Sequence, residues 1–186
     1  MFELIATSIP GCWEVRCKVF EDARGRFVKT FHAGAFAKSG LETGFVEEYY
    51  SVSRQGVLRG LHFQMPPDDH VKLVYAVTGS VLDVVVDLRV GSPTYGQYHL
   101  VELSASSANA LYVPKGLAHG FYVPRGEAVM VYKVSSLYSP VHDSGILWNS
   151  VGIPWPDQQP VLSERDRSFT SFEKFQSPFR YEPDTH

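Results

Sequence analysis

Cysteine is scarce in this sequence: Cys12 and Cys17 are the only two in 186 residues. They stand five apart, without the paired spacing of a zinc site or a disulfide framework, and are expected to be free thiols of a reducing compartment. Long hydrophobic runs are missing too. No apolar stretch approaches the ~18 residues that a membrane-crossing helix needs. Met1-Phe2-Glu3-Leu4-Ile5-Ala6-Thr7 has neither the basic start nor the apolar block of a secretory leader. Nor does one charge dominate. With 17 Lys and Arg against 20 Asp and Glu, the formal net charge is -3, so the chain as a whole has no attraction for nucleic acid or an anionic membrane. An anionic ligand would have to be met by a few converging cations. Gly-x-Gly-x-x-Gly and Gly-x-Ser-x-Gly are also absent, which removes the common dinucleotide and hydrolase signatures. These absences, with 44% hydrophobic side chains, predict a soluble, cytoplasmic protein built as one domain, residues 1–186.

What is present is strand-like alternation. Residues 13–19 alternate apolar with polar, meet the polar turn Glu21-Asp22-Ala23-Arg24-Gly25-Arg26, and resume an extended pattern at 27–31. A helix of barely two turns is expected at 33–40, closed by Gly40. From Phe45 to Val134 the chain reads as successive strands, among them 71–77 and 81–89 on either side of Gly79-Ser80, then 97–103, 110–113, 119–123 and 129–134. In 81–89, Leu82, Val84, Val86 and Leu88 share one face and Asp83, Asp87 and Arg89 the other. That half-polar lining suits a barrel interior or an exposed sheet better than a dry sandwich core. From about 139 the chain becomes turn-rich, with Ser163 expected to cap a short helix that has Asp166 third in its first turn, and residues 183–186 expected to fray. Many short strands and little helix indicate an antiparallel all-β barrel or sandwich.

The densest concentration of chemistry is Gly56-Val57-Leu58-Arg59-Gly60-Leu61-His62-Phe63-Gln64. Arg59 and His62, three apart, would face opposite sides of a regular strand, so Gly60 is expected to mark a bulge or tight turn that re-aims one of them. Arg59, Lys72 and Arg24 could converge on a diphosphate through charge-assisted bonds. His119, in another apolar segment, raises with His62 and His70 the question of a metal. His62 is followed by Phe63-Gln64 rather than by the second half of a His-x-His pair, and no metal is expected. Tyr132 shares its face with Ala128, Met130 and Val134 while Lys133 points away, which gives an inward phenol able to donate a proton.

Taken in order, Arg59-Gly60-Leu61-His62-Phe63-Gln64, Lys72-Leu73-Val74, Asp87-Leu88-Arg89, Ser92-Pro93-Thr94-Tyr95-Gly96, Ala118-His119-Gly120-Phe121, Tyr132-Lys133, Trp148-Asn149 and Leu162-Ser163-Glu164-Arg165-Asp166 resemble the dTDP-4-dehydrorhamnose 3,5-epimerase family. The resemblance runs from about Phe20 to Asp166. It implies a cupin-like antiparallel jelly-roll barrel with short peripheral helices, a homodimer formed by strand exchange or sheet extension, a nucleotide-diphosphate sugar as substrate, and no metal or organic cofactor. It also implies roles. His62 matches the general base, Asp166 its buried partner, Tyr132 the proton donor on the opposite side of the sugar, and Lys72 the residue at the keto oxygen. Arg24, Arg59 and His119 match positions that hold the substrate and its phosphates, and Tyr138 an aromatic that stacks on the base.

These roles suit the chemistry. Inverting a carbon beside a ketone requires a base on one face, an acid on the other and a charge to stabilise the enolate between them. The chain departs from the family pattern at the nucleotide end: Lys29 replaces a usual Glu, Glu47-Glu48-Tyr49 a usual Gln-Asp-Asn, Asp143 a Glu, and Arg165 a Lys. Glu47, Tyr49, Lys29, Asp143 and Arg165 are therefore expected substrate contacts that tune the nucleotide. The alternatives are a relative that inverts C3 or C5 alone, one that prefers CDP, a non-catalytic sugar-binding barrel, or a metal-dependent oxygenase.

Overall fold

The computed structural model describes residues 2–183, so most of the expected frayed end, from Asp184 onward, lies outside the described residues. Its strands, numbered in chain order, form two main sheets and a ribbon. The first sheet runs β1 (Phe2–Ala6), β2 (Trp13–Cys17), β10 (Asn109–Val113), β7 (Lys72–Thr78), β12 (Glu127–Val134) and β5 (Glu47–Arg54). The second runs β13 (Asp143–Gly145), β6 (Leu58–Gln64), β11 (Leu117–Tyr122), β8 (Ser80–Asp87) and β9 (Tyr98–Ser104). A ribbon of β3 (Val19–Asp22) and β4 (Gly25–Val28) stands apart, and every pairing between these strands is antiparallel. The expected all-β antiparallel architecture is what the chain forms, with β1 and β13 as strands the sequence reading did not assign. Among the described residues no helix is long and apolar enough to cross a membrane.

The two sheets face each other across one core. Val74, Leu111 and Met130 from the first meet Val81, Val85, Leu103 and Phe121 from the second. β8 is buried on both faces. Asp83 and Asp87 share its inward face with Val81 and Val85 and are fully buried, so the half-polar lining is a barrel interior. Its other face, with Val84, Val86 and nearby Leu88, is covered by Trp148, Ile153, Trp155 and Phe179 from the turn-rich C-terminal segment. Each such large side chain stabilises by roughly 1.5–3 kcal/mol when buried. That segment is therefore part of the barrel wall.

Both expected helices form. The first, α1 (Ala33–Lys38), is capped by His32, whose ring nitrogen accepts from Ala35 N–H, and Gly40 closes it at φ +71. Its buried Phe36 meets Phe2 and Phe31 edge-on, both at 5.0 Å, over the outer face of the first sheet. The second, α2 (Glu164–Ser168), starts where Ser163 Oγ accepts from Asp166 N–H at 3.0 Å.

Register explains how Arg59 and His62 come to one face. His119 of β11 pairs with His62 of β6, but Phe121 pairs with Arg59, so between them Gly60 and Leu61 of β6 together oppose the single Gly120 of β11. The extra residue is the bulge expected at Gly60, and it flips Arg59 onto the side His62 occupies. Gly60 has φ +138, and a Cβ there would stand 2.6 Å from Gly120 Cα. Gly60→Ala should cost on the order of 3 kcal/mol through backbone strain and displaced strands. An unchanged urea midpoint would show that the strands can separate freely.

Candidate active site

One cavity of about 360 Å³ opens between the sheets at the bulge. Arg59, His62 and Gln64 of β6, His119 and Phe121 of β11 and Asp143 of β13 line one wall. Glu47, Tyr49 and Ser51 of β5, Lys72 of β7 and Tyr132 of β12 line the other, while Tyr138 and Arg165 stand at the rim. Of the expected site residues, Asp166 sits directly behind His62, and all others except Arg24 and Lys29 line the cavity. Those two lie outside the cavity of this single chain: Arg24 at the β3–β4 turn, bonded to Asp22, and Lys29 exposed just past β4.

The strongest local constraint is on His62. Its Nε2 lies 2.8 Å from Asp166 Oδ1, while Asp166 Oδ2 accepts from the backbone N–H of Gly60 at 3.1 Å. Burial works to raise the Asp166 pKa, but the bonds from His62 and Gly60 outweigh it and hold the carboxyl below its ordinary value. An ionised carboxylate only accepts, so Nε2 carries the ring proton and Nδ1 keeps the lone pair. Burial pulls His62 below the usual imidazole value, with Asp166 opposing and Lys72 and Arg165 adding to the fall. The imidazole is thereby kept neutral, as a base must be. Phe169 meets the ring edge-on at 5.7 Å, and Arg165 lies over Phe169 at 5.3 Å while bonding Asp143 at 2.7 Å.

Lys72 is 7% exposed, with Nζ 3.4 Å from the His62 carbonyl. Burial lowers its pKa to about 8, against the opposing pull of Asp143 and Asp83. It is a buried ammonium held near the edge of deprotonation. Across the core, Tyr132 is also buried, its hydroxyl 3.1 Å from Ser51 Oγ and its ring stacked on Tyr49 at 4.8 Å. Burial pushes the phenol well above its ordinary pKa, so it holds its proton until a stronger base faces it. His119 completes the ring of groups. Its Nε2 contacts both oxygens of fully buried Asp83 at 3.0 and 2.9 Å, and it meets Tyr132 edge-on at 6.2 Å. Burial raises Asp83, with His119 and Lys72 opposing.

Several participants escaped the sequence reading. Asp83 was visible as an inward acid, but its imidazole partner lies 36 residues away. Ser51 reaches Tyr132 across 81 residues, and nothing in its own surroundings announces it. Gln64 and Ser136 contact His70, which burial, with Lys72 and Lys115, pushes down to about 3. Among the described residues no three His, Cys, Asp or Glu side chains are grouped to hold a metal ion. On Arg59, Nε donates to Ser53 Oγ and a terminal nitrogen to the Val52 carbonyl, fixing the guanidinium at the mouth of the cavity.

The arrangement suits proton transfer at carbon: a neutral imidazole on one sheet, a protonated phenol on the facing sheet, and an ammonium for a developing oxyanion. Lys72 should titrate near pH 8 in NMR of its side-chain methylenes. Asp143→Asn, which removes the carboxylate that most favours the charged form, should move that titration lower; a rise or no change would contradict the electrostatics described.

The sequence pattern of the dTDP-4-dehydrorhamnose 3,5-epimerase family matches residues 6–174. The dTDP-4-dehydrorhamnose 3,5-epimerase of Shigella flexneri is 45% identical over 166 residues, 88% of this chain and 92% of that protein. Among solved structures, the Bacillus anthracis enzyme of that name, with TDP and PPi bound, superimposes with a TM-score of 0.89 at 38% identity, covering 92% of this chain and 99% of its own. A dTDP-6-deoxy-D-glucose-3,5-epimerase of Legionella pneumophila in complex with dTDP-4-keto-L-rhamnose gives a TM-score of 0.93 at 35% identity, covering 98% and 100%.

Proposed function

The chain belongs to the dTDP-4-dehydrorhamnose 3,5-epimerase family, and we propose that it inverts C3 and C5 of a dTDP-linked 4-keto-6-deoxyhexose, with no metal or organic cofactor. The observation that carries this reading is the facing of a neutral His62 and a protonated Tyr132 across one cavity, with the Lys72 ammonium on the same lining. His62 removes the proton next to the ketone, and the electron pair moves to the keto oxygen. Lys72, itself buried, offsets that charge at short range. Tyr132 then protonates the carbon from the other face, and the carbonyl reforms inverted. Asp166 steadies the imidazolium that exists between the two steps.

Arg59 and His119 hold the sugar diphosphate, and Tyr138, 60% exposed at the rim, offers its ring to the base. Glu47, Tyr49, Asp143 and Arg165 shape the nucleotide end. The working form is a cytoplasmic homodimer. Support for association comes from the β3–β4 ribbon, which exposes Phe20 and Phe27, and from edge strand β5, which exposes Tyr50 and Val52. Arg24 and Lys29, carried by or just beyond that ribbon, meet a nucleotide by reaching into the neighbouring subunit's cavity.

A deuterium NMR time course with the dTDP-linked 4-keto sugar reads both half-reactions. His62→Ala should lower solvent exchange at both carbons by roughly 10²- to 10⁴-fold. Tyr132→Phe should keep exchange while inversion falls, because His62 can return a proton only to the face it came from. Equal loss of exchange and inversion in a folded Tyr132→Phe protein would remove it as the acid, and label at only one carbon in the wild type would restrict the reaction to that carbon.

The pH profile has a definite sign. The Lys72 ammonium is present below about 8 and lost above it, so kcat/KM should fall as pH rises through that value. Neutral His62 persists below the ordinary imidazole range, which pushes the acid limb down. Lys72→Arg, unable to deprotonate, should be slower but should lack the alkaline limb. Retention of that limb would assign it to another group.

A further inference from the structure

An acid that gives its proton to carbon must recover one before it can act again. Two inversions consume two protons from Tyr132, and His62 cannot supply them directly because it stands on the facing sheet. Tyr132 is 7% exposed. Its hydroxyl contacts Ser51 Oγ at 3.1 Å, either atom able to donate. Ser51 sits on β5, the edge strand of the first sheet, half-buried between Tyr50 and Val52, which are 69% and 47% exposed. Tyr49 and Ser51 point inward while Tyr50 and Val52 point outward. Tyr49 pairs with Tyr132 in register and Ser51 with Met130, so Ser51 meets the phenol along the diagonal. Ser51 lines the cavity together with Tyr132, so the serine hydroxyl touches the buried acid and also faces the space that opens between the sheets.

We propose that Ser51 is the proton relay that recharges Tyr132, acting through it and not on the sugar. After Tyr132 protonates carbon, the tyrosinate takes the Ser51 proton while Ser51 takes one from a water in the cavity, and the hydroxide left behind is neutralised by the proton that His62 gives up. His62 releases to solvent the proton it removed from the substrate, so one proton enters at Ser51 for each that leaves at His62. No other co-reactant is required. Burial destabilises the tyrosinate, which makes the return transfer downhill and makes a blocked return costly.

The inference rests on Tyr132 being the opposite-face acid, and the experiment separates the two. Ser51→Thr and Ser51→Val have nearly the same shape and differ in the hydroxyl. Recharging matters only after a first proton has been given. With enzyme in excess, the Val variant should therefore invert one carbon per site at close to the Thr rate, then continue at least tenfold more slowly, with solvent exchange by His62 retained. Thr should show no such break. Val and Thr alike in both phases, or Val already slow in the first inversion, would overturn the relay. Tyr132→Phe is measured in parallel: if it still inverts, the acid assignment itself has failed, and if it does not while Val matches Thr, only the relay has. Should Ser51→Val prove unstable to heat, Ser51→Ala, smaller than the native residue, carries the same comparison.

Discussion

One carboxylate organises the site. Asp166 holds the imidazole of His62 with one oxygen and the Gly60 amide at the bulge with the other, so a single group orients the base and anchors the distorted backbone that presents it. The bond closes a separation of 104 residues. It can exist only because the C-terminal segment packs Trp148, Trp155 and Phe179 over the outside of β8 and its neighbours, bringing α2 to the back of β6. The Ser163 cap then sets the first turn of α2 so that its third residue is the acid. Packing, capping and catalysis are linked in one chain of dependence.

Burial is the common lever on His62, Lys72, Tyr132 and Asp83, and its effect differs with the charge each group would carry. It lowers His62 and Lys72, which are charged when protonated, and raises Tyr132 and Asp83, which are charged when deprotonated. The same burial thus favours the neutral form of His62 and the protonated form of Tyr132. Lys72 stays an ammonium near neutrality because Asp143 and Asp83 oppose its desolvation.

The sequence carried the fold wherever a pattern is local. Alternation located β2, β8 and β12, the glycine in Arg59-Gly60-Leu61-His62 pointed to the bulge, and Ser163 with Asp166 marked a capped turn. β13 escaped because three residues are too few to show a period, and β1 because Leu4 and Ile5 side by side break the alternation. The acids of β8 were legible as one polar face, of a barrel interior or of an exposed sheet, but the pairing of Asp83 with His119 depends on which strand lies beside which, and that is a property of the whole topology. Ser51 is an ordinary polar residue until β5 is laid against β12. The roles proposed for Arg24 and Lys29 require a second subunit, and no feature of one chain's sequence fixes where a neighbour would sit.

Strand β5 ends the first sheet, and it carries Tyr49 and Ser51 against the acid on one face and Tyr50 and Val52 toward water on the other. A backbone added along that edge would restrict the same strand that cradles the phenol. If the proposed dimer pairs at that edge, association and the placement of Tyr132 share one mechanical element, and linkage would make their free energies interdependent: whatever favoured pairing would favour the conformation that pairing selects inside, and a substrate preferring that conformation would tighten the pairing in return. Through this strand, a partner on the β5 edge would make the position of Tyr132 in one barrel depend on its neighbour's presence.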